Sequence, residues 1–201
     1  MYGSEFWDNR YGGDDYVFGT EPNAFLAEHC GFLKGPVLSI SEGEGRNAVF
    51  LAERGLGVLG VDISPVALEK AEKLAQSRGV KMRTQIADLA TYHPKENQYG
   101  AVVSIFAHLA GETRARLYPL LERALLPGGI LMMEAYSERQ ISRDTGGPKD
   151  LDWLMTVEKV QHAFPDMEMI LLREVEREVM EGSGHTGLAF VVQCIARKPT
   201  G

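Results

Sequence analysis

The chain has 201 residues, 44% hydrophobic and 24% charged, with 21 Lys and Arg against 28 Asp and Glu. That size and composition fit one globular domain with a sizeable core, and a formal charge of −7 gives no general attraction toward nucleic acid or an anionic membrane surface. Cys30 and Cys194 lie far apart without paired spacing, which argues against a disulfide framework or a zinc site and suits a reducing compartment.

The first twenty residues have loop composition, and their opening, MYGSEFWDNRYGGDDY, lacks the basic start and apolar run of a secretory signal. No stretch approaches the roughly 20 apolar residues of a bilayer span. The expectation is a soluble, unprocessed, cytoplasmic monomer without a membrane or nucleic-acid partner. Trp7, Tyr11, Tyr16 and Phe18 crowd the opening segment beside the flexible pair Gly12-Gly13, so residues 1–35 read as a cover segment. Its aromatic residues serve either as a lid over a ligand or as packing against the core.

From Pro36 onward, short β-branched runs alternate with helical patterns. A strand is expected at 37–41, a helix at 47–54, a strand at 58–63, a helix at 65–78 and a strand at 82–86. The helix at 65–78 has the clearest signals: Ser64 as N-cap, Pro65 at the first position and Gly79 just past the end. A strand at 101–106, a helix at 112–126 closed by Pro127-Gly128-Gly129, and a strand at 130–135 follow. The segment 139–150 is a loop rich in Gly, Pro and charge, and 153–164 reads as a helix. The runs 169–180 and 188–196, separated by a glycine-rich turn, read as an antiparallel hairpin. The alternation predicts a doubly wound, mostly parallel α/β sheet with right-handed crossovers, and no linker divides 36–201.

The first strand runs into Ser41-Glu42-Gly43-Glu44-Gly45-Arg46, a Gly-x-Gly turn opening a helix. Such a turn lets a ligand approach the backbone beside free helix N–H donors, although a glycine pair there also serves tight packing. Asp62 ends the next strand seventeen residues after Gly45, near the spacing of about 20 at which nucleotide folds set an acid against ribose hydroxyls. Asp88 ends the third strand, placed to accept from the exocyclic amine of adenine. The same turn fits a nicotinamide-dependent oxidoreductase. Against that reading stand the lack of chain for a substrate domain, the position of Asp88 and the C-terminal hairpin.

Together these residues resemble the class I S-adenosylmethionine-dependent methyltransferases over nearly the whole chain. VLSISEGEGRNAVFLA is similar to the family's glycine loop, GVDIS to its ribose-binding strand end, IADL to its adenine-side acid, and LLPGGILMMEAY to the segment leading into its fifth strand. The resemblance implies a seven-stranded Rossmann-like sheet with an antiparallel C-terminal hairpin, S-adenosylmethionine as cofactor, and methyl transfer to a small molecule. The implied cofactor-binding set is Ser41, Glu42, Gly43, Gly45, Asp62, Ile63, Ala87, Asp88, Leu89 and Ile105. FWDNRYGG and the small size look closest to the tellurite-resistance and thiopurine methyltransferase-like group.

Two positions depart from the family pattern: Ser39 stands where an acid usually ends the first strand, and Ser41 where the first glycine sits. Glu42 is the nearest acid able to balance the methionyl ammonium in place of Ser39, unless it is a solvent-exposed loop residue. On the acceptor side, His108 is the candidate general base, with a surface or capping histidine as the alternative. Phe106 reads as core, and Tyr136 and His185 are candidate substrate contacts, or else a packed strand end and an exposed turn residue. No metal site is expected. The two departures also leave open a module that binds the cofactor without turnover.

Overall fold

The alternating pattern folds as a doubly wound α/β structure in a computed structural model that describes residues 3–182 and 184–200. Met1 and Tyr2 of the cover segment, Ser183 of the hairpin turn and Gly201 lie outside the described residues. In chain order the elements are α1 (Ser4–Tyr11), α2 (Ala24–His29), β1 (Val37–Ile40), α3 (Arg46–Glu53), β2 (Val58–Asp62), α4 (Pro65–Ser77) and β3 (Arg83–Ile86). β4 (Tyr99–Ile105), α5 (Gly111–Ala124), β5 (Leu125–Tyr136), α6 (Val157–Ala163), β6 (Glu168–Glu181) and β7 (His185–Arg197) follow.

The strands form one seven-stranded sheet in the order β3-β2-β1-β4-β5-β7-β6. Pairings from β3 to β5 are parallel, and β7 runs antiparallel to both β5 and β6. β1 and β4 are buried along their whole lengths because both faces of the sheet carry helices. The pleat divides their side chains: Leu38, Ile40 and Val102 join Leu117, Leu121 and Phe164 on one face, while Val37, Ala101, Val103 and Ile105 join Phe25, Ala48 and Leu51 on the other. The order reverses at β1, whose neighbours are β2 and β4, and the carboxyl ends of these strands open onto the cavity described below.

Most element ends fall within two residues of the sequence reading, and three departures have identifiable causes. The opening segment is not loop throughout: α1 forms because Asp8 accepts from Ser4 Oγ at 2.8 Å and from Ser64 Oγ at 2.5 Å, tying α1 to the N-cap of α4. Helix 153–164 is cut to Val157–Ala163, since Thr156 caps it through Lys159 N at 3.1 Å while Met155 pairs with Ser137. Pro127-Gly128-Gly129 lies inside β5 rather than closing a helix, in a strand whose register against β4 shifts between Tyr99 and Ala101. Among the described residues no helix is long and apolar enough to cross a membrane.

Candidate active site

A cavity of about 380 Å³ opens at the carboxyl ends of β1, β2 and β4, and the glycine loop forms one side of it. Ser41 takes a left-handed conformation (φ 49°), so the residue in the family's glycine position adopts the backbone that glycine would. Phe106, just past β4, does the same (φ 51°), and both line the cavity. Strained non-glycine backbone of this kind costs about 1–3 kcal/mol and concentrates at ligand sites. Gly43 lines the cavity, whereas Gly45 does not. A Cβ on Gly45 would lie 2.6 Å from Ala71 Cβ, so its lack of a side chain lets α3 approach α4.

Glu42 is buried and turns back beneath the loop. Its carboxylate accepts from Ser39 Oγ on one oxygen and from Ala48 N at 2.8 Å on the other. A carboxylate therefore sits against the Ser39 hydroxyl although residue 39 is not itself an acid. Burial pushes the Glu42 pKa up to about 7, against the Ser39 and Ala48 hydrogen bonds. Asp62 receives Gly43 N at 2.8 Å and Ser64 N at 2.9 Å, which fixes the glycine loop to the end of β2, and its burial raises its pKa as well. Asp88 accepts from Ala90 N at 2.8 Å and lines the cavity with Ile63, Leu89 and Ile105. Ala87 instead packs against the main core.

The N-terminal segment closes another side through Phe6, Trp7, Arg10, Tyr11 and Phe18. Lys70 of α4 holds it, with Nζ donating to the carbonyls of Tyr11, Gly13 and Asp15 at 3.3, 3.0 and 2.6 Å and pairing with Glu44 at 2.6 Å. The other Glu44 oxygen accepts Val17 N at 2.8 Å. Lys70→Met removes these donors together. Amide exchange across residues 13–18 is then expected to quicken about tenfold, the usual consequence of losing a charge-assisted bond or two. Unchanged exchange in the variant would show that aromatic packing and the Glu44 contact to Val17 N hold the segment without Lys70.

At the far end the cavity is lined by Phe106, His108, Gly146, Gly147, Pro148, Trp153 and His185. The His108 ring nitrogen Nδ1 lies 3.4 Å from the Trp153 carbonyl, and burial lowers its pKa to about 4. His185 is also pushed well below the ordinary histidine value by burial. Tyr136 is not at the cavity surface: it is fully buried behind it, stacked on His108 at 5.4 Å, with its hydroxyl 3.4 Å from the Thr145 carbonyl. Gly147 lies flat on the tyrosine, where a Cβ would meet the ring at 2.6 Å, and this contact separates Tyr136 from the cavity.

Sequence reasoning missed Arg10, Arg46 and Trp153, while Phe18 reaches the cavity as one of the cover-segment aromatics. Arg46 follows the glycine turn directly and reaches the cavity, held at 2.5 Å by Glu181. Glu181 belongs to a buried polar network in which Asn23 donates to Glu134 and Glu181 at 2.7 and 2.8 Å and Gln193 donates to Glu134 at 2.6 Å. The arginine directly after the glycine turn was a visible signal for Arg46. Nothing local marks the rest, which arrive from distant segments. No cluster of three or more metal-ligating side chains occurs among the described residues.

The strand order and the position of the cavity at the switch point define a doubly wound fold that is shared with a solved S-adenosylmethionine-dependent methyltransferase of Methanosarcina mazei. Residues 37–129, from the start of β1 into β5, match the family described as a methyltransferase domain. The 2-heptyl-1-hydroxyquinolin-4(1H)-one methyltransferase of Mycobacteroides abscessus is 28% identical over 131 residues, 64% of this chain and 58% of that protein. A ribosomal protein L11 methyltransferase of Thermus thermophilus is 36% identical over 97 residues, 48% of this chain and 37% of that protein. The chain thus spans less than two thirds of the length of either relative. Among solved structures, TehB from Haemophilus influenzae shares the fold with a TM-score of 0.72 at 16% identity, over 97% of this chain and 66% of that one.

Proposed function

We propose that the protein, acting as a monomer in the cytoplasm, transfers a methyl group from S-adenosylmethionine to a small-molecule acceptor. The observation that carries this reading is the convergence of the glycine loop, Asp62 and Asp88 on one cavity beyond the carboxyl ends of the strands. The residues fit the cofactor: backbone at Ser41 and Gly43 for close approach, a carboxylate for a ribose, an acid with apolar neighbours for adenine. When bound, S-adenosylmethionine supplies an electrophilic methyl group on a sulfonium.

In this reading Glu42 and Gly43 hold the methionyl end, Asp62 holds the ribose, and Asp88 with Ile63 and Leu89 holds the adenine beside Ile105. Gly45 and Ala87 shape the loop and strand end rather than touch the ligand. His108 and His185 face the acceptor, and Tyr136 braces His108 from behind. The far end of the cavity is lined by Phe18, His185 and the 146–148 segment, and a volume of about 380 Å³ favours a small acceptor over a protein or RNA strand. The name of the 28% identical relative, a hydroxyquinolone methyltransferase, agrees with an acceptor of that size.

Thermal shift separates this reading from a nicotinamide-dependent oxidoreductase. S-adenosylhomocysteine at a hundredfold its Kd contributes about 2.7 kcal/mol, which raises the Tm of a chain this long by roughly 5–10 °C. The nicotinamide dinucleotides are expected to leave the Tm unchanged, and the reverse pattern would sink the proposal.

A further inference from the structure

His108 and His185 each carry a buried ring nitrogen, Nε2 and Nδ1 respectively, without a hydrogen-bond partner. Both rings line the cavity and both pack on Phe106, at 6.1 and 4.8 Å between centroids, and on Tyr136 at 5.4 and 5.3 Å. Phe18 lies 4.5 Å from His185 on its other side. A buried polar atom left unpaired costs about 1–3 kcal/mol, and such atoms at a cavity wall are the ones a ligand completes.

The tautomer of His108 follows from its neighbour. A backbone carbonyl only accepts, so Nδ1 facing the Trp153 carbonyl carries the hydrogen, and Nε2, buried in a ring that lines the cavity, is left with an unpartnered lone pair. A ligand atom against that lone pair has to be a hydrogen-bond donor, which excludes carboxylates and pre-ionised oxyanions. A cationic donor is disfavoured too, because Arg114 lies near His108, and Arg46, Arg10 and Arg177 lie near His185. The surrounding rings of Phe18, Phe106 and Trp153, with the side-chain-free backbone of Gly146 and Gly147, suit a flat apolar body.

We propose that the methyl acceptor is an uncharged planar aromatic compound bearing a hydroxyl group, which donates to Nε2 of His108 while His185 makes a second polar contact. The proposal rests on the methyltransferase reading above. In the reaction a lone pair of the hydroxyl oxygen forms the new bond to the methyl carbon as the bond from that carbon to the donor sulfur breaks, its electron pair remaining on sulfur. The hydroxyl proton passes to Nε2 and on to solvent. Because His108 is a weak base, it takes the proton only as the carbon–oxygen bond forms and the oxygen becomes acidic.

The test uses 2-naphthol and 2-methoxynaphthalene, in which a methyl group replaces the donor hydrogen, titrated into protein loaded with S-adenosylhomocysteine. Wild type is expected to bind 2-naphthol about tenfold more tightly than the ether. His108→Phe keeps a ring on Tyr136 but abolishes this preference, and His108→Gln, which restores an acceptor oxygen, recovers most of it. S-adenosylhomocysteine affinity stays the same in all three proteins. With both imidazoles already neutral, 2-naphthol affinity is flat from pH 5.5 to 8, and the His108 side-chain nitrogen resonances shift on its addition. Lack of 2-naphthol binding, equal binding of the two probes, a preference surviving in His108→Phe, or affinity falling below pH 6.5 overturns the proposal. Absence of S-adenosylhomocysteine binding to wild type overturns the methyltransferase reading itself, and this proposal with it.

Discussion

Glu42→Gln is expected to stabilise the ligand-free protein at pH 8 by up to about 3 kcal/mol and to weaken S-adenosylhomocysteine binding about tenfold. The first effect follows from burial, which raises the folded-state pKa of Glu42 from 4.5 to about 7. The folded state therefore holds this proton more tightly than the unfolded chain. The stability it contributes is complete below about pH 4.5 and is lost as pH rises toward 7, which amounts to about 3 kcal/mol over the window. Gln carries no titrating proton, yet its amide oxygen still accepts from Ala48 N and its amide nitrogen donates to Ser39 Oγ. Urea unfolding at pH 5 and pH 8 should show wild type losing more stability than the variant over that interval. Parallel losses would place the titration elsewhere. The binding effect rests on a charge-assisted contact to the methionyl ammonium, worth about 1.5–3 kcal/mol. 5′-Methylthioadenosine lacks the amino-acid end and should bind both proteins alike; an equal loss for both ligands would mean that Glu42 only shapes the loop.

The parts of the site legible in the sequence are those set by local geometry. A strand running into a glycine turn and a helix fixes where residues 41–45 sit, and an acid ending the next strand has one place to be, so Asp62 and Asp88 reach the cavity as their positions imply. Side-chain direction is less local. Tyr136 ends a strand beside the site, but Gly147, eleven residues on, covers it, and no pattern within β5 encodes that contact. Glu42 lies at the mouth of the loop as expected, yet its carboxylate reaches back three residues to Ser39, into space left open by the missing side chain of Gly60, where a Cβ would meet Glu42 Cγ at 3.1 Å. The segment containing α1 has loop composition and becomes ordered through partners some fifty residues away, Ser64 and Lys70, which periodicity does not register.

Asp62→Ala is expected to weaken S-adenosylhomocysteine binding by roughly 1–3 kcal/mol, about 5- to 150-fold. Two losses contribute. The carboxylate that would receive the ribose hydroxyls disappears, and Gly43 N and Ser64 N, held at 2.8 and 2.9 Å, lose their acceptor. Freed from Asp62, the glycine loop is tied to the end of β2 more weakly, through the Glu42 N bond to the Val61 carbonyl at 3.1 Å, so the backbone is less well placed for the ligand as well. Asp62→Asn separates these contributions: one oxygen still accepts from a loop N–H, while the amide nitrogen faces the other N–H as a second donor, so it should fall between wild type and Asp62→Ala. The ligand dependence is opposite to that of Glu42→Gln, because 5′-methylthioadenosine retains the ribose and should lose affinity alongside S-adenosylhomocysteine, whereas adenine alone should not. Titration calorimetry with the three ligands reads this directly. Unchanged S-adenosylhomocysteine affinity in Asp62→Ala would remove the residue from the site and show that the glycine loop meets the ligand without it.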